Sequence, residues 1–138
     1  MRLTRLPLLL GGSLLVATIP AQSCDPGARV FFIRPFNGAT VRSPFLVIFG
    51  SELVAVKPVP AGRVPENVGH HDLLIDLDKV PLNELIPRDK QHLNFDQGET
   101  RAEVSLPPGQ YKLTLQFADG AGRSHGPEMS ATIHVTVQ

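Results

Sequence analysis

The chain of 138 residues has no tryptophan, one tyrosine, one cysteine and no excess of either charge, thirteen Lys and Arg standing against thirteen Asp and Glu. Each shortage excludes something. A lone cysteine cannot form an internal disulfide, so the stapled scaffolds of small exported domains are ruled out. The charge balance removes the field that steers proteins to nucleic acid or to an anionic membrane surface, and neither partner is expected. Long helices are excluded as well. From residue 24 onward the longest stretches free of both Gly and Pro are His70 to Val80 and Glu128 to Gln138, eleven residues each. An average helix of ~11 residues would have to fill one completely.

What is present begins with Arg2 and Arg5, an uncharged run from Leu6 to Ile19, and then Pro20-Ala21-Gln22-Ser23-Cys24. That order is a secretory signal peptide, and the run is shorter than the ~20 residues a membrane-spanning helix needs. Residues 1–23 are therefore expected to be removed, leaving one domain over 24–138 that is exported to a bacterial periplasm or tethered to a membrane. Two readings of the cut stand side by side. Ala21-Gln22-Ser23-Cys24 resembles a lipoprotein signal with Cys24 as the lipid-modified first residue, whereas small residues at Ala21 and Ser23 also suit ordinary cleavage. Without residues 1–23 the chain keeps eleven basic against thirteen acidic residues and is mildly acidic.

Period two dominates the remainder. Leu73, Ile75 and Leu77 alternate with Asp72, Leu74 and Asp76; Tyr111, Leu113, Leu115 and Phe117 alternate with Lys112, Thr114 and Gln116; Ile133, Val135 and Val137 alternate with Thr132, His134 and Thr136. Val30 to Ile33, Phe45 to Phe49 and Arg101 to Leu106 are further β-rich segments. Asn37-Gly38, Pro107-Pro108-Gly109 and Asp119-Gly120 supply turns, and only Leu82 to Ile86 invites a helical turn. About seven short strands so punctuated predict an all-β, immunoglobulin-like or fibronectin-like antiparallel sandwich without a disulfide. The loop Lys57 to Gly69 is the long one.

Chemistry rests on five histidines. In Gly69-His70-His71-Asp72 adjacent side chains leave a strand on opposite faces, so His71 is expected to point inward with Leu73, and His70 and Asp72 outward together. Imidazole and carboxylate are both transition-metal ligands. His92, on an alternating face with Asn94 and Asp96, and His125, before the last strand, are candidates to complete a copper or zinc site, with His71 as an alternative ligand. The loops before His70, after Phe95 and around His125 are expected at one end of the sandwich, where binding residues usually sit. His134 is expected on a solvated face. Asp76 and Asp78 lack the glycine-bearing acidic loop of a calcium site, Met129 reads as core packing, and Ser124-His125 is neither a triad nor a nucleophile elbow. An enzyme is not expected.

Ala28 to Phe32, Pro35 to Gly50, Gly69-His70-His71 with Leu73 to Asp76, His92-Leu93 with Phe95, Leu106 to Gly109, Gly126-Pro127 and Met129-Ser130 together resemble the exported bacterial family called domain of unknown function 4399. The resemblance implies a signal or lipoprotein signal followed by one small β domain, and no activity. It also implies histidines in many relatives where Asp72 and Asn94 stand here, which shifts a metal site toward mixed nitrogen and oxygen ligands. The leading expectation is an exported, non-enzymatic sandwich binding a protein partner or small ligand at its histidine-bearing end. The alternative is a copper- or zinc-handling protein using His70, Asp72, His92 and His125.

Overall fold

Residues with alternating or β-branched apolar character form nine strands in the computed structural model, which describes residues 25–138. They are β1 (Arg29–Arg34), β2 (Ala39–Val41), β3 (Phe45–Glu52), β4 (Ala55–Val56), β5 (Val68–Ile75), β6 (His92–Phe95), β7 (Arg101–Val104), β8 (Gly109–Asp119) and β9 (Ser130–Val137). The expected signal segment, residues 1–23, and Cys24 lie outside the described residues. No helix among those described is long and apolar enough to cross a membrane.

One sheet has the order β1-β3-β7; the other runs β2-β9-β8-β5-β4, with β6 also paired to β5. This is the two-sheet arrangement of immunoglobulin-like and fibronectin-like sandwiches. Two short pairs, β2 with β9 and β4 with β5, are parallel, so the larger sheet is mixed, whereas β1-β3-β7 is wholly antiparallel. The strands beyond the expected seven are short pieces that pair along sheet edges. Asn37-Gly38 does not close a hairpin. It carries the chain from β1 in one sheet to β2 in the other. Leu82 to Ile86 forms a turn and then an extended bridge, Leu85 to Arg123, in place of a helical turn.

The inward set is the one that alternation predicts. Val47, Leu73, Leu113, Leu115 and Phe117 are 0% exposed, joined by Phe45, Phe49, Ile133, Val135 and Val137. Burying each such side chain contributes roughly 1.5–3 kcal/mol. At the β7–β8 corner the Tyr111 hydroxyl donates to the Pro107 carbonyl at 2.8 Å. This is the tyrosine corner of such sandwiches, and it explains where the one tyrosine is spent.

The opposite face of β5 and β8 is not solvated. Thr114 and Gln116 are 0% exposed, because residues 76–91 and 120–129 fold back over them. Thr114 Oγ1 donates to the Leu77 carbonyl, and Gln116 Nε2 donates to the carbonyls of Gly126 and Met129. Gln116 Oε1 accepts from the Val80 amide, and Ser124 Oγ donates to the Val80 carbonyl. The two segments also pair with each other through Asn83, Glu84, Ser124 and Ile86 backbone groups. Polar side chains on the outer face thus serve as partners for loop backbone that would otherwise be buried unpaired.

Replacing Tyr111 by phenylalanine removes only the corner bond, and should lower unfolding free energy by about 1 kcal/mol without changing the urea m-value. Equal urea midpoints for variant and parent would show that the corner bond carries no stability.

Candidate functional site

The second residue of β5, Gly69, is a glycine that no other residue could replace without displacement. A Cβ on Gly69 would lie 2.0 Å from the Ala118 carbonyl oxygen, so β5 and β8 approach closely here. The next three residues alternate as expected, but both faces are covered: His70 is 4% exposed, and His71 and Asp72 are 0% exposed.

On the outer face, β5 and β6 pair Asp72 with Asn94 and Leu74 with His92. The Asn94 amide nitrogen lies 2.9 Å from His70 Nε2 and 2.8 Å from Asp72 Oδ1. Asp72 Oδ2 lies 3.2 Å from His70 Nε2, within ion-pair reach, yet has no hydrogen-bond partner. If His70 Nε2 accepts from Asn94, two electron-rich atoms face each other across that gap, and only a proton or a cation between them relieves it.

Above His70 is a hollow of about 180 Å³. Its walls are Pro58 and Val59 from the long loop, Arg88, Asp96-Gln97 after β6, and Gly120 to Gly122 after β8. Gly120 lets the long loop close in, since a Cβ there would meet Val59 Cγ1 at 2.6 Å. The Gln97 amide, with the Arg88 guanidinium 3.0 Å away, holds the Asp96 carboxyl below the usual carboxylate range against the opposing effect of burial. The loops before His70 and after Phe95 therefore do meet the turn that precedes His125.

The four expected ligands do not assemble. His70 and Asp72 meet. His92 shares their face two residues further along, but its Nδ1 lies 2.8 Å from Asp89 Oδ1. His125 is on the other side of the sheet: its amide pairs with the Phe117 carbonyl, and its ring lies 5.0 Å from that of Phe117 in the core. Strand alternation puts His70 and His125 on opposite faces, a separation invisible until the Ala118 to Ser124 bridge is known. Among the described residues no three His, Cys, Asp or Glu side chains group as metal ligands.

His71 points inward as expected, but it bonds to no backbone group. Both ring nitrogens lack partners, and the ring sits 5.2 Å from Phe49 and 6.3 Å from Phe117. Burial, with the neighbouring His70 charge, pushes its pKa down to about 4. His125 is pushed down by burial too, against Asp119. The remaining candidates have structural work. Asp76 accepts from the Lys112 amide, Asp78 pairs with the Lys112 ammonium, Met129 is in the core, and His134 is exposed. Ser124 is 1% exposed and accepts from the Gly126 amide besides its bond to Val80. Sequence reasoning did not identify Arg88, Gln97 and the Gly120 to Gly122 turn, and no motif marks them. The role of Asn94 was readable only from the β5–β6 register.

A family model described as a domain of unknown function, DUF4399, matches residues 47–138. The match takes in every residue of the hollow and leaves out the Ala28 to Phe32 and Pro35 to Leu46 segments. No curated protein and no solved structure matches the chain.

The buried His71 makes stability depend on pH. Its folded pKa lies below the ordinary 6.5, so the unfolded chain binds the extra proton first and stability falls as pH drops from 6.5 to about 4. The full loss is about 3 kcal/mol. His71→Leu should match or exceed parent stability at pH 7.5, because no ring partner is stranded, and should lose most of this slope. Urea unfolding at pH 7.5, 6 and 4.5 checks it; parallel slopes for parent and variant would contradict the assignment.

Proposed function

We propose, from the premise that the chain belongs to the DUF4399 family, that it is an exported, non-enzymatic binding domain whose ligand enters the hollow over His70. The observation that carries this reading is the polar enclosure itself, in which three separate connections bring Arg88, Asp96, Gln97 and the Gly120 to Gly122 turn around a buried imidazole. Its volume of about 180 Å³ is below the ~300 Å³ of a typical small-molecule site. The occupant is accordingly an ion, a very small molecule or a single side chain of a protein partner. Binding is favoured over catalysis because the buried Ser124 hydroxyl, beside His125 in sequence, is already committed to Val80 and Gly126. Export is supported by the order of charge, apolar run and small residues before Cys24.

Two measurements test these halves. Mass spectrometry of the native N-terminus should find the chain beginning near residue 22 or 24, with acyl chains if Cys24 is lipidated. A protein retaining Met1 would end the export reading. Native mass spectrometry of the untagged protein from the exported fraction should show a bound adduct that Arg88→Ala or Gln97→Ala diminishes. A parent with no adduct would count against the hollow as a binding site.

A further inference from the structure

We propose that His70 Nε2, Asp72 Oδ2 and the side-chain amide oxygen of Asn94 are the protein ligands of one divalent transition-metal ion, best matched by zinc, with a fourth position open to the hollow. The inference rests on the reading of that hollow as the binding site, and it names the occupant.

Three observations carry it. His70 Nε2 lies 3.2 Å from Asp72 Oδ2 and 2.9 Å from the Asn94 amide nitrogen, which in turn lies 2.8 Å from the other carboxylate oxygen, Asp72 Oδ1. Ligands on a tetrahedral zinc ion with bonds of 2.0–2.1 Å are separated by ~3.3 Å, so His70 Nε2 and Asp72 Oδ2 already stand at about the spacing of two such ligands, with the Asn94 amide beside both residues. Second, Asp72 is 0% exposed and its Oδ2 is unpartnered. A buried carboxylate oxygen facing an imidazole nitrogen needs a proton or a cation between the two atoms, and a metal ion is one such centre. Third, His70 borders the hollow, which provides entry and room for a water or ligand group at the fourth position.

The Asn94 amide occupies this point with its nitrogen, and rotating it half a turn presents the oxygen instead. The donor set is one neutral nitrogen, one carboxylate and one carbonyl oxygen, which suits zinc better than copper(I). Binding requires the imidazole and carboxylate in their unprotonated forms and releases any proton they share. His92, held by Asp89, and His125, on the inner face, are not ligands.

The test uses protein exported from the full-length chain, stripped with a chelator and titrated calorimetrically with zinc chloride at pH 7. The parent should bind one ion with Kd below about 0.1 mM. Asp72→Asn and His70→Gln, checked for folding by circular dichroism, should weaken binding at least tenfold. His92→Gln and His125→Gln should stay within twofold of the parent. Asn94→Asp adds a readout independent of affinity: two carboxylates then meet in the metal-free protein, which should melt below the parent, and zinc should raise its Tm by more than it raises the parent's. Zinc binding equally strong in Asp72→Asn, or no parental binding tighter than about 0.1 mM, would overturn the proposal. If zinc fails while the untagged protein still carries an adduct sensitive to Arg88→Ala, the metal is wrong and the binding hollow stands. If both fail, both readings fall.

Discussion

The architecture at the histidine-bearing end depends on one constraint: backbone folded over the outer face of β5 and β8 must find hydrogen-bond partners there. Gln116 meets it most fully, contacting Val80, Gly126 and Met129 with one buried amide. Thr114 and Ser124 add partners for Leu77 and Val80. An unpaired buried peptide group costs about 1–3 kcal/mol, so these few side chains determine that residues 76–91 and 120–129 lie against the sheet rather than in water. The cover gives the sandwich a third layer over part of one face.

That cover changes the character of β5. Its two adjacent histidines are both removed from solvent, but into different surroundings. His71 enters an aromatic core that offers its nitrogens nothing and suppresses its charge. His70 enters a polar layer with Asp72 and Asn94, beneath a hollow edged by an Arg88–Asp96 ion pair. One residue of strand therefore separates a histidine among aromatic rings from one in a polar layer bordering a hollow. Among the described residues of this polar layer, Asp72 Oδ2 is a fully buried oxygen with no hydrogen-bond partner, and it faces His70 rather than bulk water.

Much of the fold was readable because period two survives in the sequence. The inward positions of β3, β5, β8 and β9 are the residues that alternation selects, and Gly and Pro spacing excludes long helices. The site was readable in part. Gly69-His70-His71-Asp72 marks where the chemistry gathers, and alternation sorts His71 from His70. His125 was misplaced because spacing along a chain carries no information on which face a distant strand will present, and His92, though on the expected face, is engaged by Asp89. His125 follows Phe117 inward through a pairing across the Asp119 to Ser124 turn.

By itself the sequence determined the all-β class, the absence of a disulfide, the inward set of side chains and the opposite facing of His70 and His71. These follow from local sterics and from the two-residue repeat of a strand, which act within a few residues. Tertiary structure alone decided that the polar face of β8 is buried, that Asn94 rather than His92 or His125 meets His70 and Asp72, and that Arg88 and the Gly120 to Gly122 turn enclose them. Those outcomes depend on strand register and on which loop finds hydrogen-bond partners on which sheet. Both are settled by contacts between residues far apart in the chain, for which local composition holds no record.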